Sequence, residues 1–427
     1  MQNRGQKKKK ISLTTMIFIA LLAGALAGVI INYLIPSNYV VDDIIVQGVF
    51  YIVGQGFIRL MRMLVVPLVF CSIVCGSMAV GDTKKLGSVG VKTLIFYLCT
   101  TALAITVALT IANIFNPGKG LDMSQIQVTS TVSETTQSMS MTETLLDIIP
   151  VNIFNSLSEG NMLQIIVFAL ILGVILANMG DRVDIVKNFF GQFNDIMMEM
   201  TMAVMKLAPI GVFCLIAKTF AEIGFEVFIP LLKYMFCVLL ALAVQCFVVY
   251  LGLLKIFSGL NPFIFIKNFF PVMAFAFSTS TSNATIPMNI DTLAEKMGVS
   301  KKISSFTIPL GATINMDGTS IMQGVAVVFT AQAFGIPLDM MDYLTVIGTA
   351  TLASIGTAGV PSVGLITLTM VFNSVGLPIE GIALIMGIDR ILDMTRTAVN
   401  ITGDAVCTTI VASWNKAVDR DVYYRRK

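Results

Sequence analysis

Residues 270–289 read FPVMAFAFSTSTSNATIPMN, an apolar stretch that the hydroxyl-rich run STSTSN interrupts at its centre. The wider segment begins after Lys255 and ends at Lys301 and Lys302, so basic residues typical of a cytoplasmic boundary flank both ends. A membrane segment that returns to its starting side must reverse at depth, where unwound backbone is tolerated only if it lines a cavity enclosed by protein. The stretch therefore predicts a re-entrant helical hairpin.

A second interrupted segment lies at residues 343–378, and its central run, IGTAGVPSVG (355–364), is rich in glycine and proline. Each half of either segment is expected to be too short to cross a membrane alone. Paired interrupted segments in the two halves of a membrane protein indicate a transport site. We predict two hairpins that enter from opposite faces. The alternative, two ordinary kinked spans, would place residues 300–302 or the C-terminus on the wrong side.

The composition is that of a membrane protein. The chain has 427 residues, of which 56% are hydrophobic and 12% are charged, and its mean hydropathy is +0.85. Runs of about 20 apolar residues are long enough to span a bilayer. We therefore predict an all-α polytopic protein that has the lipid bilayer as its surroundings. The net charge of +3 favours neither nucleic acid nor an acidic partner.

The chain contains no histidine, and its seven cysteines lie in apolar segments. The lack of histidine excludes Ser-His-Asp and Cys-His catalysis and most zinc sites. None of the cysteines has the spacing of a metal knuckle, and free thiols fit a protein of the cytoplasmic membrane. We therefore expect no enzyme of these types.

Charged loops predict the orientation. Lysines at 7–10 precede an apolar run of about 20 residues, which is longer than the core of a signal peptide, so we predict a retained first helix with a cytoplasmic N-terminus. Acidic and basic loops then alternate, which places both termini in the cytoplasm. The other predicted spans cover about 45–78, 91–115 and 162–179, a fifth that ends near Glu222, then 227–254, 303–331 and 380–414.

Between the hairpins, the run GATINMDGT (311–319) combines Asn315 and Asp317 with a following glycine, Gly318. Glycine beside polar residues inside a membrane helix indicates a locally broken helix, whose free carbonyl groups can bind a cation.

The last span contains DRILDMTRTAVNITGD (389–404), where three carboxylates and two arginines occur in an apolar segment. Ionisable groups in a membrane cost at least ~2.5–3.5 kcal/mol each and usually mark a substrate or ion pathway. The alternative is a buried ion-pair network that only fixes the helix, a role that Asp389 in particular could have. At about 100° per residue, six polar residues share one stripe of about 100°: Asp389, Asp393, Arg396, Thr397, Asn400 and Asp404.

This stripe suits an acidic amino acid. Arg396 offers a planar fork for a carboxylate, and Asp393 can accept hydrogen bonds from an ammonium group. Asp317 and Asp404 have no evident cationic partner, so we expect monovalent cations to bind them through oxygen ligands. We expect the fold to leave these charged side chains without sufficient partners, and a zwitterionic ligand and cations to supply the missing partners.

Four runs, STSTSNATIP, GATINMDGT, ASIGTAGVPSVG and DMTRTAVNITGD, resemble in order and spacing the signature motifs of the dicarboxylate/amino acid:cation symporter family, the family of glutamate and aspartate transporters. The resemblance implies eight transmembrane helices plus two re-entrant hairpins, built from inverted repeats, in a homotrimer that works by an elevator mechanism. It implies a static scaffold and a mobile transport domain. The implied parts are 1–90 (scaffold helices 1 and 2), 91–119 (helix 3, transport domain), 120–225 (outer loop and scaffold helices 4 and 5), 226–415 (transport domain) and 416–427 (cytoplasmic tail).

The resemblance also implies the site residues. Substrate binding is assigned to Ser282, Thr319, Val360, Gly364, Asp393, Arg396, Thr397 and Asn400. Three sodium sites are assigned, the first to Gly311, Asn315, Asn400 and Asp404, the second to Thr313, Ser354, Ile355 and Thr357, and the third to Tyr97, Thr100, Thr101, Asn315 and Asp317.

Several alternatives stay open at this point. The sodium-ligand positions favour sodium-coupled import of aspartate or glutamate, but some bacterial relatives use protons instead. Gln323 stands where eukaryotic members hold a protonatable glutamate, so we expect no proton to be carried there. We also expect Arg390, one turn from Asp393, to shield that carboxylate. An intramembrane protease is disfavoured because Ile401 stands where its Gly-x-Gly-Asp motif needs glycine, and a channel because the stripe resembles a ligand site more than a pore ring.

Overall fold

The protein is helical throughout the part that the computed structural model describes, residues 13–81, 88–121, 146, 149–224, 228–355 and 363–424. Two π-helical segments, Val40–Phe50 and Val244–Tyr250, join or precede α-helices. The helices are α1 (Leu13–Leu34), α2 (Tyr51–Gly81), α3 (Ser88–Phe115), α4 (Ile153–Glu159), α5 (Met162–Met179), α6 (Asp184–Met205), α7 (Ala208–Ile223), α8 (Phe228–Ala243), α9 (Leu251–Ser258), α10 (Pro262–Thr279), α11 (Ser282–Met297), α12 (Lys301–Ile314), α13 (Asp317–Ala333), α14 (Met340–Ser354), α15 (Val363–Ser374), α16 (Gly381–Trp414) and α17 (Arg420–Tyr424).

Helices of membrane-spanning length are confirmed. The described residues include six that are long and apolar enough to cross a bilayer. The predicted fifth span is divided, because α6 ends at Met205 and α7 begins anew at Ala208, with Pro209 in its first turn. The six candidate spans are Thr15–Leu34, Val40–Leu60, Val89–Phe115, Gln164–Met205, Phe228–Ser258 and Pro262–Thr279.

The first interrupted segment is a helical hairpin. Helices α10 and α11 pack against each other, and the chain reverses between them at Ser280, which has left-handed backbone angles (φ 52°, ψ 33°). Asn261 caps α10 by accepting a hydrogen bond from the Phe263 backbone N–H, and Pro262 occupies the first helical position. The first arm is longer than predicted: its 18 residues reach the lower limit for crossing a membrane, so the expectation that each arm is too short is wrong for α10.

The second interrupted segment also folds as two short helices. Helices α14 and α15 have 15 and 12 residues and pack against each other. An Asp339–Asp342 capping box starts α14. Residues 356–362, which include most of the Gly/Pro-rich run, lie outside the described residues.

The predicted break in the helix between the hairpins is confirmed. Helix α12 ends at Ile314, Asn315 is extended (φ −89°, ψ 90°), and α13 starts at Asp317. Helix α13 is buried along almost its whole length. The break therefore lies in the interior, where its backbone groups and side chains face other helices.

The helices pack in two sets. Helix α2 contacts α5, α6 and α7, and α1 lies along α7. In the other set α13 contacts α3, α8 and α16, while α16 also contacts α9, α10 and α12. Helices α15 and α16 touch both sets, through α2 and α7. The division into scaffold and transport domains remains a prediction, and these two packing sets are the observation to compare with it.

Candidate transport site

A buried arginine with two carboxylates occupies the middle of α16. The Arg396 Nη1 atom lies 2.7 Å from Asp389 Oδ1, and Nη2 lies 3.3 Å from Asp389 Oδ2. Asp393 Oδ1 accepts from Nε at 3.1 Å and from Nη2 at 2.8 Å. The three side chains, which we call the arginine cluster, are each at most 6% exposed.

This pairing corrects one expectation. The sequence predicts that Arg396 and Asp393 await a ligand, whereas in the structure they bind each other and Asp389. The cause is helical spacing, because residues three and seven apart share a face. A buried charge without a partner is strongly unfavourable, so neighbouring side chains of opposite charge pair with each other. Asp389 thus takes the ion-pairing role that was left open for it.

The arginine cluster still has capacity for a ligand. A guanidinium group has five N–H donors, and the contacts above use four of them, which leaves one on Nη1. Gly364, at the start of α15, lies against this group: a Cβ atom added there would be 3.2 Å from Arg396 Cζ and 3.0 Å from the Thr319 methyl carbon. Three predicted substrate residues, Gly364, Thr319 and Arg396, therefore meet at one place.

The other predicted substrate residues differ in their contacts. Thr397 donates to the Asp393 carbonyl oxygen (2.8 Å), so its hydroxyl is satisfied within α16. The Asn400 side-chain oxygen accepts from the Gly318 backbone N–H at 2.7 Å and so holds the broken helix. Ser282 is buried at the first position of α11, a helix that packs on α16. Val360 lies outside the described residues, as does the side chain of Arg390.

One turn beyond Asn400, Asp404 lies beside the break between α12 and α13. Asn315 Nδ2 donates to Asp404 Oδ1 (2.9 Å) and to the Asn400 carbonyl oxygen (3.1 Å). Gly311 is in contact with the Asp404 carboxylate, so that any side chain there would collide with it. The structure thus brings together the four residues of the first predicted sodium site.

The second carboxylate, Asp317, begins α13 and faces α3. Thr101 Oγ1 lies 2.6 Å from Asp317 Oδ1, and it also bonds the Tyr97 carbonyl oxygen at 2.8 Å. Thr100 bonds the same carbonyl oxygen at 3.1 Å. The Tyr97 hydroxyl donates to the Thr307 carbonyl oxygen (3.2 Å). Residues of the third predicted sodium site therefore lie together, at the α3–α13 contact.

Two residues of this site were not identified by the sequence prediction. Tyr250 Oη donates to Asp317 Oδ2 at 2.7 Å, and Gln245 Nε2 donates to the same oxygen at 3.1 Å. Both are buried in the π-helical segment Val244–Tyr250, a geometry that often marks functional sites. A buried glutamine within an otherwise apolar span was the available signal.

The two carboxylates form what we call the carboxylate pair, Asp317 and Asp404. Within the described residues, no lysine or arginine forms an ion pair with either. The Asn315 side-chain oxygen and the Gln245 side-chain oxygen are buried and have no hydrogen-bond donor in this part of the chain. Side-chain oxygens that accept no hydrogen bond there, next to carboxylates that pair with no lysine or arginine there, are suitable ligands for a bound cation.

The second predicted sodium site is only partly described, since Thr357 lies outside the described residues. The Thr313 hydroxyl donates to the Pro309 carbonyl oxygen (3.2 Å) and the Ser354 hydroxyl to that of Thr351 (2.7 Å). Each bond stays within its own helix. Ile355 ends α14 with an extended backbone.

Buried carboxylates that face a broken helix, in a chain of membrane-length helices, define a multi-pass membrane transporter. The chain belongs to the Sodium:dicarboxylate symporter family, which it matches over residues 13–414. Members of this family are transporters, and the resemblance seen in the four sequence runs is confirmed.

Known relatives are similar over nearly their full length. The chain is 40% identical over 411 residues to the proton/sodium-glutamate symport protein of Bacillus caldotenax, with 95% of each chain covered. It is 36% identical over 422 residues to the proton/glutamate-aspartate symporter of Escherichia coli (strain K12), covering 97% of this chain and 95% of the relative. It is 32% identical over 410 residues to C4-dicarboxylate transport protein 1 of Ralstonia nicotianae (strain ATCC BAA-1114 / GMI1000), covering 95% and 94%.

Proposed function

We propose that the protein is a secondary active symporter that imports aspartate or glutamate together with sodium ions. The observation that carries the proposal is the arginine cluster, in which Arg396 is buried between Asp389 and Asp393 next to Gly364 and Thr319. A guanidinium and a carboxylate at one site complement a ligand that has both a spare carboxylate and an ammonium group.

Binding is proposed to proceed by exchange of partners. The substrate ammonium takes Asp393, and the substrate carboxylate takes the Nε–H and Nη2–H donors that Asp393 now occupies. Asp389 keeps its bond to Nη1 throughout. Because Arg396 and Asp393 each change one partner for another, neither of these two buried side chains loses its opposite charge, and the large penalty for an isolated buried ion is avoided for both.

This exchange favours an amino acid over a C4-dicarboxylate. A dicarboxylate has no ammonium group, so it would displace the Asp393 carboxylate from Arg396 without offering that carboxylate a positive charge in exchange. Relatives named for glutamate and aspartate and a relative named for C4-dicarboxylates both resemble this chain. The presence of Asp393 favours an amino acid as the substrate of this chain.

Charge balance supports coupling to cations. The arginine cluster and the carboxylate pair together carry four carboxylates and a single guanidinium, and an acidic amino acid adds a further net negative charge. Burying so much negative charge requires cations. Sodium is favoured over protons because Asn315 and Gln245 present side-chain oxygens that accept no hydrogen bond from the described residues, and oxygen ligands of several kinds around a carboxylate suit a metal cation. Proton coupling is the second candidate, since relatives are named for both ions.

For the movement, we propose an elevator mechanism in a homotrimer, with both termini in the cytoplasm. The two packing sets support it: α1, α2 and α5–α7 would form the static scaffold, while α3 and α8–α16 would carry the ligand. This assignment follows the division at residues 91–119 and 226–415 for the transport domain.

Uptake into liposomes tests the function. Purified protein would be given radiolabelled aspartate under an inward sodium gradient or an inward proton gradient, with glutamate and succinate as competitors. We expect uptake only with sodium, inhibition by glutamate and little inhibition by succinate. Uptake driven by protons without sodium would establish the second candidate, and succinate competing as well as glutamate would refute the role of Asp393.

A further inference from the structure

A groove of about 350 Å³ runs along the outside of the bundle, between α3, α9 and the end of α16. It is of the size at which proteins bind small ligands. Its wall is almost wholly apolar; Lys92 is the charged residue that lines it, and the Thr100 hydroxyl is bonded to the Tyr97 carbonyl oxygen. The lining residues are Lys92, Ile95, Phe96, Cys99, Thr100, Leu103, Leu253, Phe257 and Trp414.

The groove presents large apolar side chains to its surroundings. Ile95 is 56% exposed, Leu103 49%, Phe257 47% and Trp414 40%. A contiguous apolar surface of this kind marks a place that binds another molecule. Since the chain is a membrane transporter, the molecules that surround this surface are lipids.

One end of the groove lies where helices end. Lys92 lies one turn after the start of α3, Phe257 lies one residue before the end of α9, and Trp414 is the last residue of α16, so three helix ends meet there. The Phe257 and Trp414 rings are in edge-to-face contact, with centroids 5.7 Å apart. Tryptophan and lysine at helix ends are typical of the level of the lipid headgroups.

The length of the groove fits one lipid chain. From Lys92 to Leu103, α3 rises about 16 Å at 1.5 Å per residue. The hydrocarbon core of a bilayer is about 30 Å thick, so one leaflet is about half of that. An acyl chain that starts at the headgroup level beside Lys92 would therefore end near Leu103.

We propose that this groove is a binding site for an anionic phospholipid, whose acyl chain lies along α3 and whose phosphate group is bound by the Lys92 ammonium. Charge complementarity selects the anionic headgroup, because Lys92 is the charged residue of the lining. One lysine close to a negative lipid surface favours binding roughly fivefold. The proposal does not depend on the transported substrate.

Trp414 makes the site directly observable, since it is the single tryptophan of the chain. The full-length protein would be reconstituted in phosphatidylcholine bilayers that contain a small fraction of lipid brominated in the acyl chains, either phosphatidylglycerol or phosphatidylcholine. Bromine quenches tryptophan fluorescence on contact. We expect brominated phosphatidylglycerol to quench Trp414 at roughly fivefold lower mole fraction than brominated phosphatidylcholine.

Variants of Lys92 distinguish lipid binding in this groove from a general attraction of anionic lipids to the protein. Lys92→Gln should bring the two quenching curves together, and Lys92→Arg should keep them apart. Lys302→Gln, which removes the same charge from an exposed lysine that does not line the groove, is the matched control and should behave as wild type. Equal quenching by both lipids in the wild type, no quenching by either, or an undiminished preference in Lys92→Gln would overturn the proposal.

Discussion

The two halves of α16 hold buried carboxylates in opposite electrostatic conditions. Toward its start, Asp389 and Asp393 share the guanidinium of Arg396 at distances of 2.7 and 2.8 Å. Further along, the partners of Asp404 and its neighbour Asp317 among the described residues are neutral: an asparagine for the first, and threonine, tyrosine and glutamine for the second. In the arginine cluster the carboxylates are paired with a guanidinium group, whereas the carboxylate pair forms no ion pair with a lysine or arginine in the described part of the chain.

This difference separates two kinds of ligand. A site that already holds both charges can exchange partners with a zwitterion without isolating any charge. A site with carboxylates and oxygen acceptors but no cation needs a positive ion from solution. Both sites lie on one helix, and Asn400 lies between them. It binds Gly318, which lies against Arg396, and it gives its carbonyl oxygen to Asn315, so an ion at one site can stabilise the geometry of the other. That is a physical basis for coupling.

The largest effect is expected at the arginine cluster. Arg396→Cys removes the carboxylate partner and should abolish aspartate uptake while admitting neutral amino acids. It also leaves Asp389 and Asp393 facing each other, which costs about 3–5 kcal/mol in a buried site, so size-exclusion chromatography must show a folded protein. The double variant Arg396→Cys/Asp389→Asn relieves that repulsion and should share the specificity. Aspartate affinity that survives in either variant would contradict the role of the guanidinium.

The next effect concerns the carboxylate pair. Asp404→Asn keeps the shape of the side chain but removes its charge, so the sodium concentration for half-maximal uptake should rise tenfold or more, equal to at least about 1.4 kcal/mol of cation binding. Uptake measured against sodium concentration at saturating aspartate gives this value. Asp291→Asn, at an exposed carboxylate paired with Lys301, is the control and should leave it unchanged. An unaltered sodium dependence in Asp404→Asn would remove Asp404 from the cation site.

A smaller shift is expected for Tyr250→Phe. This change deletes one of three side-chain donors to the Asp317 carboxylate, and only the part of its hydrogen-bond energy that differs between the ion-bound and ion-free states affects sodium binding. With Gln245 and Thr101 still in place, we expect the sodium requirement to rise severalfold. Tyr234→Phe is a matched control, because the Tyr234 hydroxyl is buried without a hydrogen-bond partner in the described part of the chain. Equal sodium curves for both variants would show that Tyr250 does not position Asp317.

The smallest change is expected for Asp389→Asn. In the proposed exchange Asp389 never contacts the substrate, and an asparagine oxygen can still accept from Arg396 Nη1. The asparagine loses only the longer contact, that to Nη2 at 3.3 Å, so aspartate affinity should change less than about fivefold. Asp393→Asn, one turn away, should lose aspartate binding because it removes the partner of the ammonium group. If the two variants were equally impaired, the separate roles of the two carboxylates would be refuted.

Much of the architecture follows from local sequence signals. The hydroxyl-rich tip at Ser280 predicts a chain reversal, and the polar run at Asn315 predicts a helix break; both are present. Helical spacing also places Asp393, Arg396 and Asp404 on one stripe of α16. These features depend on neighbours in the chain, so the sequence is sufficient to find them.

Other features depend on contacts between distant segments and could not be read in advance. Gln245 and Tyr250 reach Asp317 because a π-helical segment turns them inward. The division of the fifth span at Lys206 likewise depends on how α6 and α7 pack on α2.

Calorimetric titration of the purified protein with aspartate, at several sodium concentrations with choline as the replacing cation, tests most directly whether the buried carboxylates need metal ions before the substrate can bind. We expect the apparent Kd for aspartate to fall steeply as sodium rises, with a slope greater than one on logarithmic axes, since more than one ion is needed to balance the charge. Aspartate binding with the same Kd in choline as in sodium would contradict the account.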